Sequence, residues 1–167
     1  MKFNVPWNEV HKCAHKLALQ MYQSGWRPDY IVGINPNGLP LSVILANLLD
    51  VRHYTLDPFE ESNCWMAEDA FGYVSDLDRD GIFEKNTSDA DKKKNILVVN
   101  DINTGGKIFD WIKKDWQSGC LPDNPNWDTI WGQNVRFATM YDSWGAVDYF
   151  YRDLGDEDTI VFPWEYD

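Results

Sequence analysis

The run Asn95-Ile-Leu-Val-Val-Asn-Asp-Ile-Asn-Thr-Gly-Gly-Lys107 constrains this chain more than any other stretch. Asn95 to Val99 form an apolar, β-branched run without alternation, as expected of a strand buried on both faces. Asn100 and Asp101 follow, then a short Gly-rich turn, Thr104-Gly105-Gly106. From Lys107 the period becomes helical, with Ile108, Trp111 and Ile112 on one face. A glycine turn between a buried strand and a helix N-terminus leaves unpaired backbone N–H groups pointing into one small space. Such a turn is a phosphate cradle or, in the plainer reading, a bare structural junction. It is not a P-loop, which needs a glycine where Asp101 stands, and no G-x-G-x-x-G dinucleotide fingerprint occurs.

Elsewhere, helical and strand patterns alternate. Val10, Cys13, Ala14, Leu17, Ala18 and Met21 recur at helical spacing, and Gly25 is placed to end that helix. Tyr30 to Ile34 reads as a strand, Leu39 to Leu49 as a helix and His53 to Leu56 as a strand. After the Asn95–Val99 strand and a helix over Lys107 to Trp116, strands are expected at Val135 to Tyr141, Asp148 to Tyr151 and Ile160 to Phe162. This order implies an α/β fold, a mostly parallel sheet flanked by helices, with ligands at the carboxyl ends of the strands. The loops Asn35–Gly38 and Asn100–Gly106 both lie at such ends. Asp57 to Lys94 is long, acidic and weakly periodic, the profile of a lid or mobile segment. Pro122 to Asp128 reads as a surface loop.

With 167 residues, 44% of them hydrophobic, the chain suits a single domain over 1–167. A net charge of −12 argues against a nucleic-acid surface. An anionic ligand would need the local cradle, Lys107 or a divalent cation. The start has no apolar signal-peptide core and no stretch approaches membrane length, so no membrane contact and a cytoplasmic location are expected. Cys13, Cys64 and Cys120 lack C-x-x-C spacing and read as reduced thiols. Asp76, Asp78, Asp80 and Gly81 imitate the start of a calcium loop, but Thr87 stands where the bidentate acid belongs, which favours a solvated acidic turn. His11 and His15 sit one helical turn apart without a third ligand, so a metal site there is not expected. Most of the nine tryptophans suit packing; Trp65, inside the acidic segment, stands apart.

At the Gly-rich turn the chain resembles the type I phosphoribosyltransferases. Four hydrophobics, an acid/amide pair and Thr-Gly-Gly are similar to that family's phosphoribosyl-diphosphate signature. The block Tyr30 to Leu49 is similar to its first strand, diphosphate loop and following helix. Ile160-Val-Phe-Pro-Trp-Glu165 resembles the ending of bacterial xanthine/guanine-type members, and Trp7 to Leu19 their N-terminal helix. The resemblance implies phosphoribosyl transfer from phosphoribosyl diphosphate to a nucleobase, purine favoured, in purine salvage and nucleotide metabolism, with Mg2+ as cofactor. It implies small-molecule partners and a homodimer or higher homo-oligomer. It puts the 5′-phosphate on Thr104, Gly105, Gly106 and Lys107, the ribose on Asn100 and Asp101, and catalysis on Asp101 and Asn103. Asp101 would also reach the metal through water. The diphosphate loop falls on Asn35, Pro36, Asn37 and Gly38, with a cis Asn35–Pro36 bond expected, and the base site on Tyr141, Asp142, Val161 and Phe162. Asp57 to Lys94 takes the place of the hood that closes over the site.

The departures from that pattern remove charge. Asn100 replaces one of two ribose-binding acids. The loop is one residue short, so the carboxylate before Thr-Gly is either replaced by Asn103 or deleted. Lys107 replaces the final loop threonine, Pro36 a basic residue, Asp142 the lysine that reads the purine carbonyl, and Thr159 a stacking aromatic. Two readings therefore stand: a phosphoribosyltransferase, or a catalytically degenerate relative that binds a nucleotide or phosphate or serves as an interaction module.

Overall fold

A computed structural model of the chain describes residues 1–60, 64–77, 83–88, 92–156 and 158–166. The framework is a five-stranded parallel sheet of β2 (Tyr30–Ile34), β3 (Arg52–Leu56), β6 (Ile96–Asn103), β7 (Val135–Asp142) and β8 (Tyr149–Asp153). Their spatial order is β3-β2-β6-β7-β8. The non-alternating run predicted to be buried on both faces is the centre of this sheet, and Ile96 to Val99 are all fully buried. Leu97 and Val99 face a core built with α1 (Trp7–Ser24) and α2 (Leu39–Leu49). Ile96 and Val98 face a second core built with α3 (Cys64–Phe71), α4 (Lys107–Gly119) and the short α5 (Trp127–Ile130). Helices on both faces explain why no polar alternation marks the central strands.

The N-terminal helix follows its period: Val10, Cys13, Ala14, Leu17 and Met21 are buried, and Gly25 ends it at φ 75°. Strand β6 runs past the expected end at Val99 as far as Asn103. Backbone pairing of Asn100 with Thr139, Ile102 with Tyr141 and Asn103 with Asp142 continues the ladder regardless of side-chain polarity. Asn100, Asp101 and Asn103 are consequently strand residues and buried. Smaller differences are β8, shifted to Tyr149–Asp153, and β9, at Thr159–Val161 rather than Ile160 to Phe162. The Pro122 to Asp128 stretch is irregular as expected, but its last residues enter α5, where Trp127 is fully buried and its indole donates to the Cys120 carbonyl at 2.8 Å.

Two features had no sequence signal. Strand β1 (Lys2–Asn4) pairs in parallel with β9, bringing the first residues beside the chain's last strand. Inside the acidic segment, α3 buries Met66, Ala67, Ala70 and Phe71 in the second core, so this part of the expected hood is anchored to the body. The hairpin β4 (Tyr73–Leu77) and β5 (Phe83–Ser88) follows. The calcium-like motif at Asp78, Asp80 and Gly81 lies outside the described residues.

Candidate functional site

The end of β6 turns its polar side chains onto its own backbone. Asn100 Nδ2 donates to the Ile102 carbonyl at 3.1 Å, and the Ile102 N–H donates to Asp101 Oδ1 at 2.7 Å. Asp101 is only 2% exposed. Burial pushes its carboxyl from an ordinary 3.8 up to about 6, against the Ile102 N–H that favours the charge; the nearby Glu165 carboxylate adds to the rise. The Trp164 indole N–H faces this carboxyl and favours its ionised form without reaching hydrogen-bond geometry to any described partner.

Beyond Asn103 the chain makes its turn through Gly105 at φ 86° and Gly106 at φ 70°, and α4 begins at Lys107. Left-handed backbone at both positions is open to glycine at little cost. No side chain caps α4, and the backbone N–H groups of Thr104, Gly105, Gly106 and Lys107 have no acceptor among the described residues. Uncapped donors at a helix N-terminus attract an anion. Lys107 is exposed at the same rim.

The second loop meets this turn because of a close backbone approach. A Cβ on Gly38 would lie 2.4 Å from the Val99 carbonyl oxygen and 2.9 Å from that of Ile34, so only glycine lets the loop settle against β6. The Asn35–Pro36 bond is cis, as the resemblance implied. Asn35 Nδ2 donates to the Asp57 carboxylate just beyond β3. Asn35, Pro36, Asn37, Asn100, Asp101, Asn103, Thr104 and Lys107 all line one cavity of about 290 Å³, closed at the sides by Pro58, Ile108 and Phe109. Of the residues expected for diphosphate, ribose, catalysis and 5′-phosphate, all but Gly38, Gly105 and Gly106 therefore line one cavity.

The four base-site candidates do not join them. Tyr141 and Phe162 pack ring to ring at 6.0 Å inside the first core, and Phe162 stacks on Trp164 at 4.8 Å. Val161 is half-buried in β9. Tyr141 lines a separate cavity of about 310 Å³ with Glu9, Arg152 and Ile160. Asp142 is held by three donors: Asn103 Nδ2 at 2.8 Å, the Trp144 N–H at 3.2 Å and the Gly145 N–H at 2.7 Å. Two of the positions that depart from the family pattern, Asn103 and Asp142, are thus bonded to each other. The sequence reading also passed over Trp144. Its indole Cδ1 and Nε1 lie 3.0 and 3.1 Å from where a Cβ on Gly106 would stand, so the ring covers the cradle while remaining 61% exposed. In the sequence it stands only as a tryptophan between Ser143 and Gly145.

Among the described residues no group of three His, Cys, Asp or Glu side chains is placed to hold a metal, and His11 and His15 stay exposed on α1. One buried carboxylate among amides suits Mg2+ only as an ion carried in on substrate phosphates, the usual way that ion is held.

No family model and no curated protein matches the chain. Solved structures do. A purine phosphoribosyltransferase from Pyrococcus horikoshii superposes at a TM-score of 0.64 with 19% identity, covering 99% of this chain and 95% of its own. The Helicobacter pylori xanthine-guanine-hypoxanthine phosphoribosyltransferase gives 0.64 at 20% identity over 99% and 94%. A Neisseria gonorrhoeae protein solved with bound ppGpp gives 0.61 at 15% identity over 99% and 90%. The fold is type I phosphoribosyltransferase-like. In this phosphoribosyltransferase-like fold the cavity between the Asn35–Gly38 and Asn100–Lys107 loops sits at the carboxyl ends of β2 and β6, where parallel α/β sheets bind ligands. No described helix is long and apolar enough to cross a membrane.

Proposed function

We propose that the chain is a phosphoribosyltransferase acting on phosphoribosyl diphosphate and a nucleobase, a purine by preference, with Mg2+, in cytoplasmic purine salvage. The observation that carries this reading is the convergence of the two loops on one cavity that Thr104 and Lys107 line, at a turn whose backbone N–H groups have no acceptor among the described residues. Thr104, Gly105, Gly106 and Lys107 would hold the 5′-phosphate through N–H groups and one point charge. Asn100 and Asp101 would accept hydrogen bonds from the ribose hydroxyls, and Asn35 to Gly38 would line the diphosphate side. Mg2+, if carried in on the diphosphate, would supply positive charge to the leaving group, with Asp101 as the nearby carboxylate. As the C1–oxygen bond breaks with its electron pair leaving on diphosphate, a base nitrogen bonds to C1 and passes its proton to water or to the departing diphosphate. Asp101, ionised above about pH 6, would stabilise the positive character that C1 gains.

A specific observation favours the second reading, a relative that binds nucleotide or phosphate without turnover. The position before Thr104 carries an amide tied to Asp142, so no free carboxylate stands ready to take the proton. Loss of such a group typically costs about 10²–10⁴ in rate, and slow turnover is the expectation. The test is product formation from phosphoribosyl diphosphate, Mg2+ and a panel of purines and pyrimidines, with calorimetry of phosphoribosyl diphosphate binding alongside. Turnover that vanishes in Asp101→Asn supports the enzyme. Binding without conversion of any base selects the binding protein, and absence of both overturns the site.

A further inference from the structure

The opposite end of the same sheet carries a second cluster that the cleft does not use. Tyr30 opens β2 and Arg52 opens β3, paired directly across the ladder, with Tyr54 opposite Val32. Side chains two apart share a face, so the Tyr30 and Tyr54 rings meet at 5.1 Å edge to face. Trp65, at the start of α3, completes the group at 4.9 Å from Tyr54 and 5.8 Å from Tyr30. Tyr30 is buried, with its O–H donating to Asp69 at 3.0 Å; burial and the Asp69 charge push that hydroxyl up and keep it protonated. Trp65, by contrast, is 42% exposed at the edge of an open cavity of about 840 Å³.

Cations gather at the same cavity. Arg52, Lys92, Lys93 and Lys94 line it, four of the 15 basic residues in a chain of net charge −12. Its acidic neighbours are partly committed: Asp69 takes the Tyr30 hydroxyl and Lys94 at 3.9 Å, and Asp29 accepts the Asn95 N–H at 2.7 Å, which leaves Asp50 exposed. Arg52, Lys92 and Lys93 have no ion pair among the described residues. Aromatic stacking alone is ordinary packing, and lysines alone are a solvated face. Together in one cavity of ligand size they match a molecule with a flat ring and an anionic group.

We infer that this cavity binds a nucleotide, its base stacked on Trp65 and its phosphate between Arg52, Lys92 and Lys93, independently of the cleft at the other end of the sheet. The ligand class overlaps with that proposed for the cleft, so the experiment separates the two. The full-length protein, wild type and Lys107→Ala, is titrated with AMP, GMP, adenosine and inorganic phosphate while backbone and indole N–H resonances are followed by NMR. Mononucleotides are expected to move the Trp65 indole and Tyr54 signals in both proteins, and adenosine or phosphate about tenfold more weakly. The shifts should survive Lys107→Ala and weaken about tenfold in Trp65→Leu and in Lys92→Glu/Lys93→Glu. Paired tests on exposed positions keep misfolding from mimicking loss, and an unchanged spectrum elsewhere verifies the fold. Shifts confined to residues 100–107, equal binding of phosphate alone, or saturation by a single-stranded oligonucleotide but by no mononucleotide would each overturn the inference. A dead cleft with intact Trp65 shifts would refute the proposed function while leaving this site standing.

Discussion

Replacing Asp101 by asparagine should stabilise the protein while abolishing its ligand chemistry. The carboxyl is 2% exposed and ionises near 6 in the folded chain against 3.8 ordinarily. A raised carboxyl pKa means the folded state holds the proton more tightly. The stability it carries is full below about pH 3.8 and is lost as pH rises through about 6. At pH 7.5 the buried charge therefore costs about 3 kcal/mol, at about 1.36 kcal/mol per pKa unit. An amide of the same shape can still accept the Ile102 N–H through its oxygen but carries no charge. Its own burial is not free, so the net gain expected at pH 7.5 is about 1–3 kcal/mol, or roughly 2–10 °C in melting temperature for a chain of this size. The gain should shrink by about 2 kcal/mol on going to pH 4.5. Urea unfolding of both proteins at the two pH values measures this, since all other titrating groups cancel in the difference. The proposed phosphoribosyl transfer, measured in parallel, should disappear. An asparagine variant that is less stable at pH 7.5, or whose advantage is the same at both pH values, would refute the assignment of a desolvated charge at the site.

Further outcomes follow from other contacts. Gly38→Ala should cost about 1–3 kcal/mol in denaturant unfolding and lower ligand affinity, because its Cβ meets backbone carbonyls that cannot rotate away. Asn103→Asp should destabilise by about 1–3 kcal/mol at neutral pH by setting two carboxylates against each other, and Asn103→Asp/Asp142→Asn should recover most of that loss in the same assay. Lys107→Ala should leave the melting temperature within about 1–2 °C and weaken calorimetric binding of a 5′-phosphate about tenfold, since the side chain is exposed and has no described ion pair. In amide exchange, α3 should be protected like β6, because Met66, Ala67, Ala70 and Phe71 are core residues.

The pairing of Asn103 with Asp142 changes how the departures from the family pattern are understood. Taken singly along the chain, an amide before Thr104 and an acid after β7 look like two independent losses. In the fold their positions are register partners on adjacent strands, and their side chains satisfy each other at 2.8 Å. The same acid holds the N–H groups of Trp144 and Gly145, so it fixes the loop whose indole covers Gly106. At the position where the resemblance expects a base-reading lysine, Asp142 instead holds the β7–β8 loop over the cradle.

What the chain's order of residues determined by itself is whatever depends on neighbours in sequence. The unbroken apolar run at Ile96 to Val99, the 3.6-residue stripe from Val10 to Met21 and the glycine turn before Lys107 each report a local period or backbone freedom. Those features, with the Tyr30–Leu49 and Ile160–Glu165 blocks, were sufficient for the α/β framework, the two loops and the resemblance. Tertiary structure decided the rest. The continuation of β6 to Asn103 depends on β7, whose first residue lies 32 positions further on. The pairing of β1 with β9 joins residues more than 150 apart, and the burial of α3 needs a face supplied by α4 and α5. The raised pKa of Asp101 and the occupied state of Asp142 likewise arise from burial and from partners remote in sequence. Periodicity can say that a side chain is inside; only the assembled fold says what it meets there.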